Sequence, residues 1–217
     1  MIHACPKRIW YVNDYLVPSL LKQGIKKKDI VVYNDTEHKG NLKACMDAFL
    51  STGSDDKGTW HLQDDVVICH DFKERSEKYD NGNSITCGIV CAFSSQMYDG
   101  IGRYGTVNQK DMWFSFPCIY IPNKLAKECA NWVYTYLIGN PVYRQYWESG
   151  VNDDWAFKLF VGTYYKDMNV YNLKPNLVDH VDFLLGGSSL DKPTRYCRAQ
   201  YFNDTYLVDE LEKQLTK

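Results

Sequence analysis

The stretch Trp60-His61-Leu62-Gln63-Asp64-Asp65-Val66-Val67-Ile68 constrains this chain more than any other. It has the composition of a buried strand, yet two adjacent carboxylates interrupt it. Apolar neighbours on both sides place the pair at a strand end. Ionised carboxylates in an apolar frame are costly unless a positive group meets them. A divalent cation is the simplest such partner, because hard cations take oxygen ligands. A cation held at the end of a sheet strand can in turn hold a diphosphate. The competing reading is a helix start, since Asp caps helices and suits their positive end.

Strand and helix signals alternate around this stretch. Met1 to Cys5 is a short apolar start broken by Pro6. Residues 9–23 carry Val12, Leu16 and Leu20 at helical spacing, with Gly24 as the stop. Pro18 inside that pattern predicts a kink or two shorter pieces. Residues 29–34 read as a strand ending at Asp35, and Asn41–Leu50 as a helix with Leu42, Cys45, Met46 and Phe49 on one face. Residues 72–78 read as a short charged helix. This order predicts an α/β fold, a Rossmann-like and mostly parallel central sheet flanked by helices. In such sheets ligands bind beyond the carboxyl ends of the strands. Arg8, Asp35, Asp64 and Asp65 all follow predicted strands, so the topology brings them to one edge.

The second half is less regular. A strand is predicted over 84–94, a strand broken at Pro117 over 113–121, a helix over 124–137 and a strand over 169–173. Asn152-Asp153-Asp154-Trp155 starts a helix running to about Val161, and a last helix covers 206–215. The glycine-rich loop 99–108 does not follow a strand as a phosphate-binding turn does, so it receives no such role.

Composition narrows the classes. At 217 residues the chain is long enough for one well-buried domain. A net charge of −2 excludes a bulk basic nucleic-acid binder, although folding can still gather a local basic groove. Aromatics make up 15%, most of them expected in the core, while Tyr and Trp also suit stacking on sugars or bases. The eight cysteines lie mostly in apolar segments and form no CxxC pair. With no secretory leader ahead of the first strand, they are expected as reduced, buried thiols of a cytoplasmic protein without a zinc ribbon. No apolar run reaches the length of a membrane span.

Two later features join the Asp pair. Asp153-Asp154 opens a predicted helix, where a plain N-cap accounts for Asp153. His180 closes Pro175-Asn176-Leu177-Val178-Asp179-His180, just past a strand. A neutral imidazole is a competent ligand for a cation already held by carboxylate.

Taken in order, Gln63-Asp64-Asp65, Asn152-Asp153-Asp154-Trp155, and Pro175 to His180 followed by Ser188-Ser189 resemble a GT-A glycosyltransferase. The start His3-Ala4-Cys5-Pro6-Lys7-Arg8, with Asp35 after the next strand, is similar to the nucleotide-binding start of that fold. Gln63-Asp64-Asp65 resembles the Glu-Asp-Asp form of the DxD motif in smaller bacterial sugar transferases, with Gln63 where the first acid usually lies. The resemblance spans roughly residues 1 to 190. It implies a single GT-A-type catalytic domain, with a nucleotide-binding half at 1–95, an irregular acceptor half at 96–190 and a C-terminal tail at 191–217.

The resemblance also implies roles. Asp65 is the main metal ligand, and Asp64 binds the ribose or helps to hold the metal. His180 completes the metal site or touches the diphosphate. Arg8 and Asp35 contact the nucleotide, and Asp154 matches the acid that deprotonates the acceptor hydroxyl in inverting members. The implied cofactor is Mn²⁺ or Mg²⁺ and the implied donor a nucleotide-sugar, most simply a UDP-sugar. The acceptor stays open between a glycan precursor, a protein and a hydroxymethylated pyrimidine of viral DNA, which would require base extrusion. A metal-dependent nuclease or phosphohydrolase, and a non-catalytic nucleotide-sugar-binding module, are the alternatives.

Overall fold

Three short strands set the edge on which the candidate residues sit. In the computed structural model, which describes residues 1–80, 88–94, 105–106, 116–143, 153–168, 170–186 and 198–216, β1 is Ile2–Ala4. It pairs in parallel with β2 (Val32–Asn34) on one side and β3 (Gly58–Gln63) on the other. The strand expected over 29–34 is shorter, because Asp29 and Ile30 donate back to Lys26 and Lys27 in a 3-10 turn.

After β3 the chain turns at Asp64-Asp65 and leaves the main sheet. β4 (Val66–Ile68) pairs antiparallel with β9 (Val178–His180), Val66 opposite His180. The continuous apolar run of the sequence thus folds as strand, turn, strand, with the carboxylates in the turn. The other strands are β5 (Ile89–Cys91), β6 (Gly105–Thr106), β7 (Cys118–Pro122) and β8 (Val170–Asn172). The main sheet is seven-stranded, in the order β2-β1-β3-β7-β5-β8-β6. β7 and β6 run against the other five. The sheet is therefore mixed but mostly parallel, as the alternation of elements predicts. The antiparallel β7 in its centre is not legible in the sequence, because an unbroken apolar run carries no sign of direction.

Helices cover both faces. Alternation along β7 sends Cys118 and Tyr120 into one apolar cluster and Ile119 and Ile121 into the other. The first cluster packs under α1 (Ile9–Tyr11) and α2 (Val17–Lys22), which are joined through a π-turn at Val12–Leu16. The predicted break at Pro18 takes this form: the wider turn just before it absorbs the hydrogen bond that Pro18 cannot donate. Gly24, at φ 82°, closes the helix with its N–H on the carbonyl of Leu21. α4 (Phe72–Asp80) contributes Phe72, and the last helix, Thr205–Leu215, contributes Val208 and Leu211.

The second cluster lies among α3 (Asn41–Leu50), α5 (Asn123–Trp132, continued by a π-turn at Val133–Leu137) and α6 (Asp153–Tyr164). Leu42, Cys45, Met46 and Phe49 face it together, as their spacing predicts. Short α7 (Asp182–Leu185) follows β9, and α8 is Thr205–Leu215. Among the described residues no helix is long and apolar enough to cross a membrane. The described cysteines, Cys5, Cys45, Cys69, Cys91, Cys118 and Cys129, are in no disulfide. Cys87, Cys197, Asn152, Ser188, Ser189 and, apart from β6, the glycine-rich loop 99–108 lie outside the described residues.

Candidate functional site

The ends of β1, β2 and β3 meet at one edge because β1 pairs with both neighbours in the same direction. Asp35 N donates to Ala4 O at 2.9 Å, and Cys5 N donates to Asp64 Oδ2 at 2.6 Å. The turn after β3 therefore folds back over the end of β1. Tyr11 OH donates to Val66 O at 2.9 Å and fixes the far side of the turn.

Arg8, just past β1, reaches both carboxylates. Its Nη2 lies 2.9 Å from Asp64 Oδ1, and its Nη1 donates to Asp65 Oδ2. From the opposite side His180 Nε2 lies 3.2 Å from Asp65 Oδ1. Val181 N donates to Asp65 O at 2.8 Å, so the backbone of the β9 end is tied to the turn as well as the imidazole. Asp64 and Asp65 are 3% and 5% exposed, which makes the charge arrangement costly to disturb.

Their titration follows from this packing. Burial pushes Asp64 up to about 6, with the charge of Asp65 adding to it and Arg8 opposing it. Burial alone would raise Asp65 too, but His180 and then Arg8 hold its carboxyl well below the usual range. The site thus pairs one carboxylate firmly ionised with one poised near neutrality.

A further acid belongs here that sequence reasoning missed. Asp182, 1% exposed, lies with its Oδ1 3.5 Å from His180 Nδ1, so the imidazole stands between two carboxylates. Neither Asp182 oxygen accepts a hydrogen bond, while Asp65 Oδ1 faces the His180 imidazole. The sequence signal was its place two residues after His180, where an acid at a helix start reads as a cap. Asp179, also 1% exposed, serves the frame. It accepts from Arg198 Nε at 2.6 Å, Ala199 N at 2.6 Å and His180 N at 2.9 Å, tying the tail to the strand that carries His180.

The remaining predicted residues stand apart from this contact set. Asp35 sits at the same sheet edge, but its carboxylate accepts from Lys39 N at 2.9 Å and Gly40 N at 3.1 Å and so shapes its own loop. At the start of α6, Asp153 accepts from Asn41 Nδ2 at 3.0 Å and Asp154 accepts from Trp155 N at 2.7 Å. Burial, then the charge of Asp154, pushes Asp153 up to about 7, and burial pushes Asp154 up to about 6. Asp153 lines a small cavity with Gln63, His3 and His61, which puts the start of α6 beside the residue preceding the Asp pair. His3 Nε2 and His61 Nδ1 lie 2.8 Å apart. Burial drives His3 down to about 3 and His61 well below its ordinary value, so this pair is neutral structural material.

Arg8, Asp64, Asp65 and His180 thus make direct contact, with Asp182 behind. The set offers carboxylate oxygens, the ligand type that hard cations take, with Arg8 already on one oxygen of each Asp. Comparison with protein-family models and with curated proteins finds no match to this sequence.

Proposed function

We propose that this chain is a metal-dependent glycosyltransferase that moves a sugar from a nucleotide-sugar, most simply a UDP-sugar, to an acceptor hydroxyl. The observation that carries this reading is the buried Asp64-Asp65 turn at the carboxyl edge of the sheet, where ligands of α/β folds bind. Asp65 Oδ1 faces the His180 imidazole at 3.2 Å, and both oxygens of Asp182 are buried acceptors without a hydrogen-bond donor. Oxygen lone pairs left over in this way fit Mn²⁺ or Mg²⁺.

Asp65 and His180 would hold the cation, with Asp182 setting the imidazole between them. When bound, the cation neutralises charge on the departing nucleoside diphosphate. Arg8 fixes the two carboxylates and adds a second positive charge where phosphate would lie. Asp64, at the end of β3, serves the ribose, and Asp35, at the end of β2, shapes the Lys39-Gly40 loop at the same edge. Asp154, raised by burial to about 6, is suited to take the acceptor proton, because a base works best with a pKa near the operating pH.

The test is incubation of the full chain with UDP- and GDP-sugars and Mn²⁺, with release of nucleoside diphosphate measured. Release by the wild type that depends on Mn²⁺ and is lost in Asp65→Ala supports the reading. Full activity and metal dependence in Asp65→Ala overturns it. So does cleavage of a phosphodiester without any sugar donor. Adding glycan, protein and hydroxymethylpyrimidine DNA acceptors in separate arms identifies the acceptor as the one that accelerates release.

A further inference from the structure

A second cluster of ligand-type side chains lies away from the Asp64-Asp65 turn. Cys69 and Asp71 fall in the turn between β4 and α4, and Asp204 stands immediately before α8. One ligand atom from each, the Cys69 thiol sulfur and a carboxylate oxygen of Asp71 and of Asp204, all lie within 4.8 Å of one another. Zinc bonds of about 2.0–2.3 Å at tetrahedral angles set ligand atoms roughly 3.5 Å apart, so modest side-chain rotation closes the set. The three residues line an open cavity of about 260 Å³ together with His70, Arg75, Pro175, Asn176 and Asn203.

Two observations separate this cluster from a chance gathering of acids. The first concerns Asp204. It occupies the N-cap position of α8 but makes no side-chain cap bond to its own helix. Its carboxylate turns instead to the 69–71 turn, where Oδ2 accepts from both His70 N and His70 Nδ1 at 2.8 Å. An N-cap Asp ordinarily satisfies the free N–H groups of its helix, so this side chain is committed elsewhere. Carboxylates that bind a metal are themselves held by hydrogen bonds, and His70 gives Asp204 that support. The second is the chemical mixture. A thiol that is 2% exposed opens onto a polar cavity beside two carboxylates. Sulfur with oxygen donors selects zinc-like cations over magnesium or calcium.

The charges balance when a cation is present. Thiolate and two carboxylates carry three negative charges. Arg75, whose Nη1 is 3.9 Å from Cys69 Sγ and 3.7 Å from Asp71 Oδ1, supplies one positive charge and is held by the carbonyls of Pro175 and Asn176. A divalent cation supplies the other two.

We propose that Cys69, Asp71 and Asp204 form a second divalent-cation site of the zinc class, with His70 as a positioning residue and an open coordination place facing solvent. The site clips the β4–α4 turn to the start of α8, so its role is to fasten the C-terminal helix to the core. It shares no residue with Asp65 and His180, and its failure or success is independent of the proposed transferase reaction.

The test is titration of chelator-stripped full chain with Co²⁺, reading the thiolate-to-cobalt charge-transfer absorption, and with Zn²⁺, reading thermal stability. The wild type is expected to show a band that saturates at one equivalent. Cys5→Ser and Asp65→Asn, altered at the other carboxylate site, keep it. Cys69→Ser loses it. Asp204→Asn, the conservative change of a ligand, weakens Co²⁺ binding, and His70→Ala weakens it by about 10-fold. Zn²⁺ raises the unfolding temperature of the wild type but not of Asp204→Asn. A wild type that gives no thiolate band overturns the proposal. A band that survives in Cys69→Ser with unchanged affinity overturns it as well.

Discussion

His180 Nε2 lies 3.2 Å from Asp65 Oδ1, joining the end of β9 to the turn after β3. The other ring nitrogen is 3.5 Å from Asp182 Oδ1. His180→Ala removes the group that both carboxylates share. Losing an outer partner of a metal ligand changes affinity or activity by about 10- to 100-fold, and losing His180, proposed as a ligand itself, is expected to cost Mn²⁺-dependent turnover at least that much. Asp182→Asn keeps the shape and removes one charge, with a smaller loss in the same direction. Turnover measured across a Mn²⁺ series decides it. Wild-type Mn²⁺ dependence in His180→Ala removes His180 from the site.

Gly58 opens β3 against the ring of Tyr120 on β7. A Cβ at that position would stand 2.2 Å from Tyr120 Cζ and 2.3 Å from its hydroxyl oxygen. Gly58→Ala therefore forces the ring or the strand to shift, an overpacking cost of about 1–3 kcal/mol. Urea unfolding of Gly58→Ala, Tyr120→Leu and the double variant measures it. The double variant is expected to be more stable than the two single losses predict, because the clash is gone. Strict additivity would mean that the two side chains do not meet.

The parts of this fold that were legible in the sequence are those set by local periodicity. Asn41–Leu50 buries the face its spacing named, and the strand-turn character around Asp64 and Asp65 followed from two charges in an apolar run. What local pattern could not carry was pairing. The departure of β4 to join β9 depends on Val66 meeting His180, and nothing in either segment alone announces that. The same applies to the site. His180 was visible as a ligand type at a strand end, whereas Asp182 became part of the site only because the β9 turn sets it against the imidazole. The Cys69, Asp71 and Asp204 cluster was hidden for the same reason, its members being drawn from two distant segments. Arg8 and Asp35 looked equivalent, each following a strand, but the longer side chain reaches the Asp pair while Asp35 is used by its own loop.

Acid pH is expected to tighten the fold through the start of α6. Burial, with the charge of Asp154 second, places Asp153 at about 7, and burial places Asp154 at about 6, both above the ordinary 3.8. A carboxyl whose folded pKa exceeds its unfolded pKa favours the folded state when protonated. Its contribution is complete below the unfolded value and is lost as pH rises through the folded one. Between those values each such group lowers stability by about 1.4 kcal/mol per pH unit of increase. Asp65, held low by His180 and Arg8, acts in the opposite sense, and its contribution is lost as pH falls through its folded value. Asp153→Asn keeps an acceptor for Asn41 Nδ2 and abolishes one titration. Its unfolding free energy is expected to fall less steeply than that of the wild type from about pH 5 to 7, and it is the more stable protein above that window. Parallel pH profiles for the two proteins would show that Asp153 is ionised throughout.

Arg8 and a bound cation would share the Asp65 carboxylate, and that sharing is measurable. Arg8 meets Asp64 Oδ1 at 2.9 Å and donates to Asp65 Oδ2. Arg8→Met leaves two buried carboxylates with only His180 beside them, and breaking a buried pair in this way costs about 3–5 kcal/mol. With chelator present the variant is expected to unfold at a much lower temperature than the wild type, and adding Asp64→Asn recovers part of the loss by removing one uncompensated charge. With Mn²⁺ present the cation supplies the missing positive charge at oxygens that the guanidinium no longer covers. Mn²⁺ should therefore raise the unfolding temperature of Arg8→Met by more than that of the wild type, and the extra rise should vanish in Arg8→Met with Asp65→Asn. An equal rise in all three proteins would place the cation elsewhere on the chain and remove the Asp65 turn as its site.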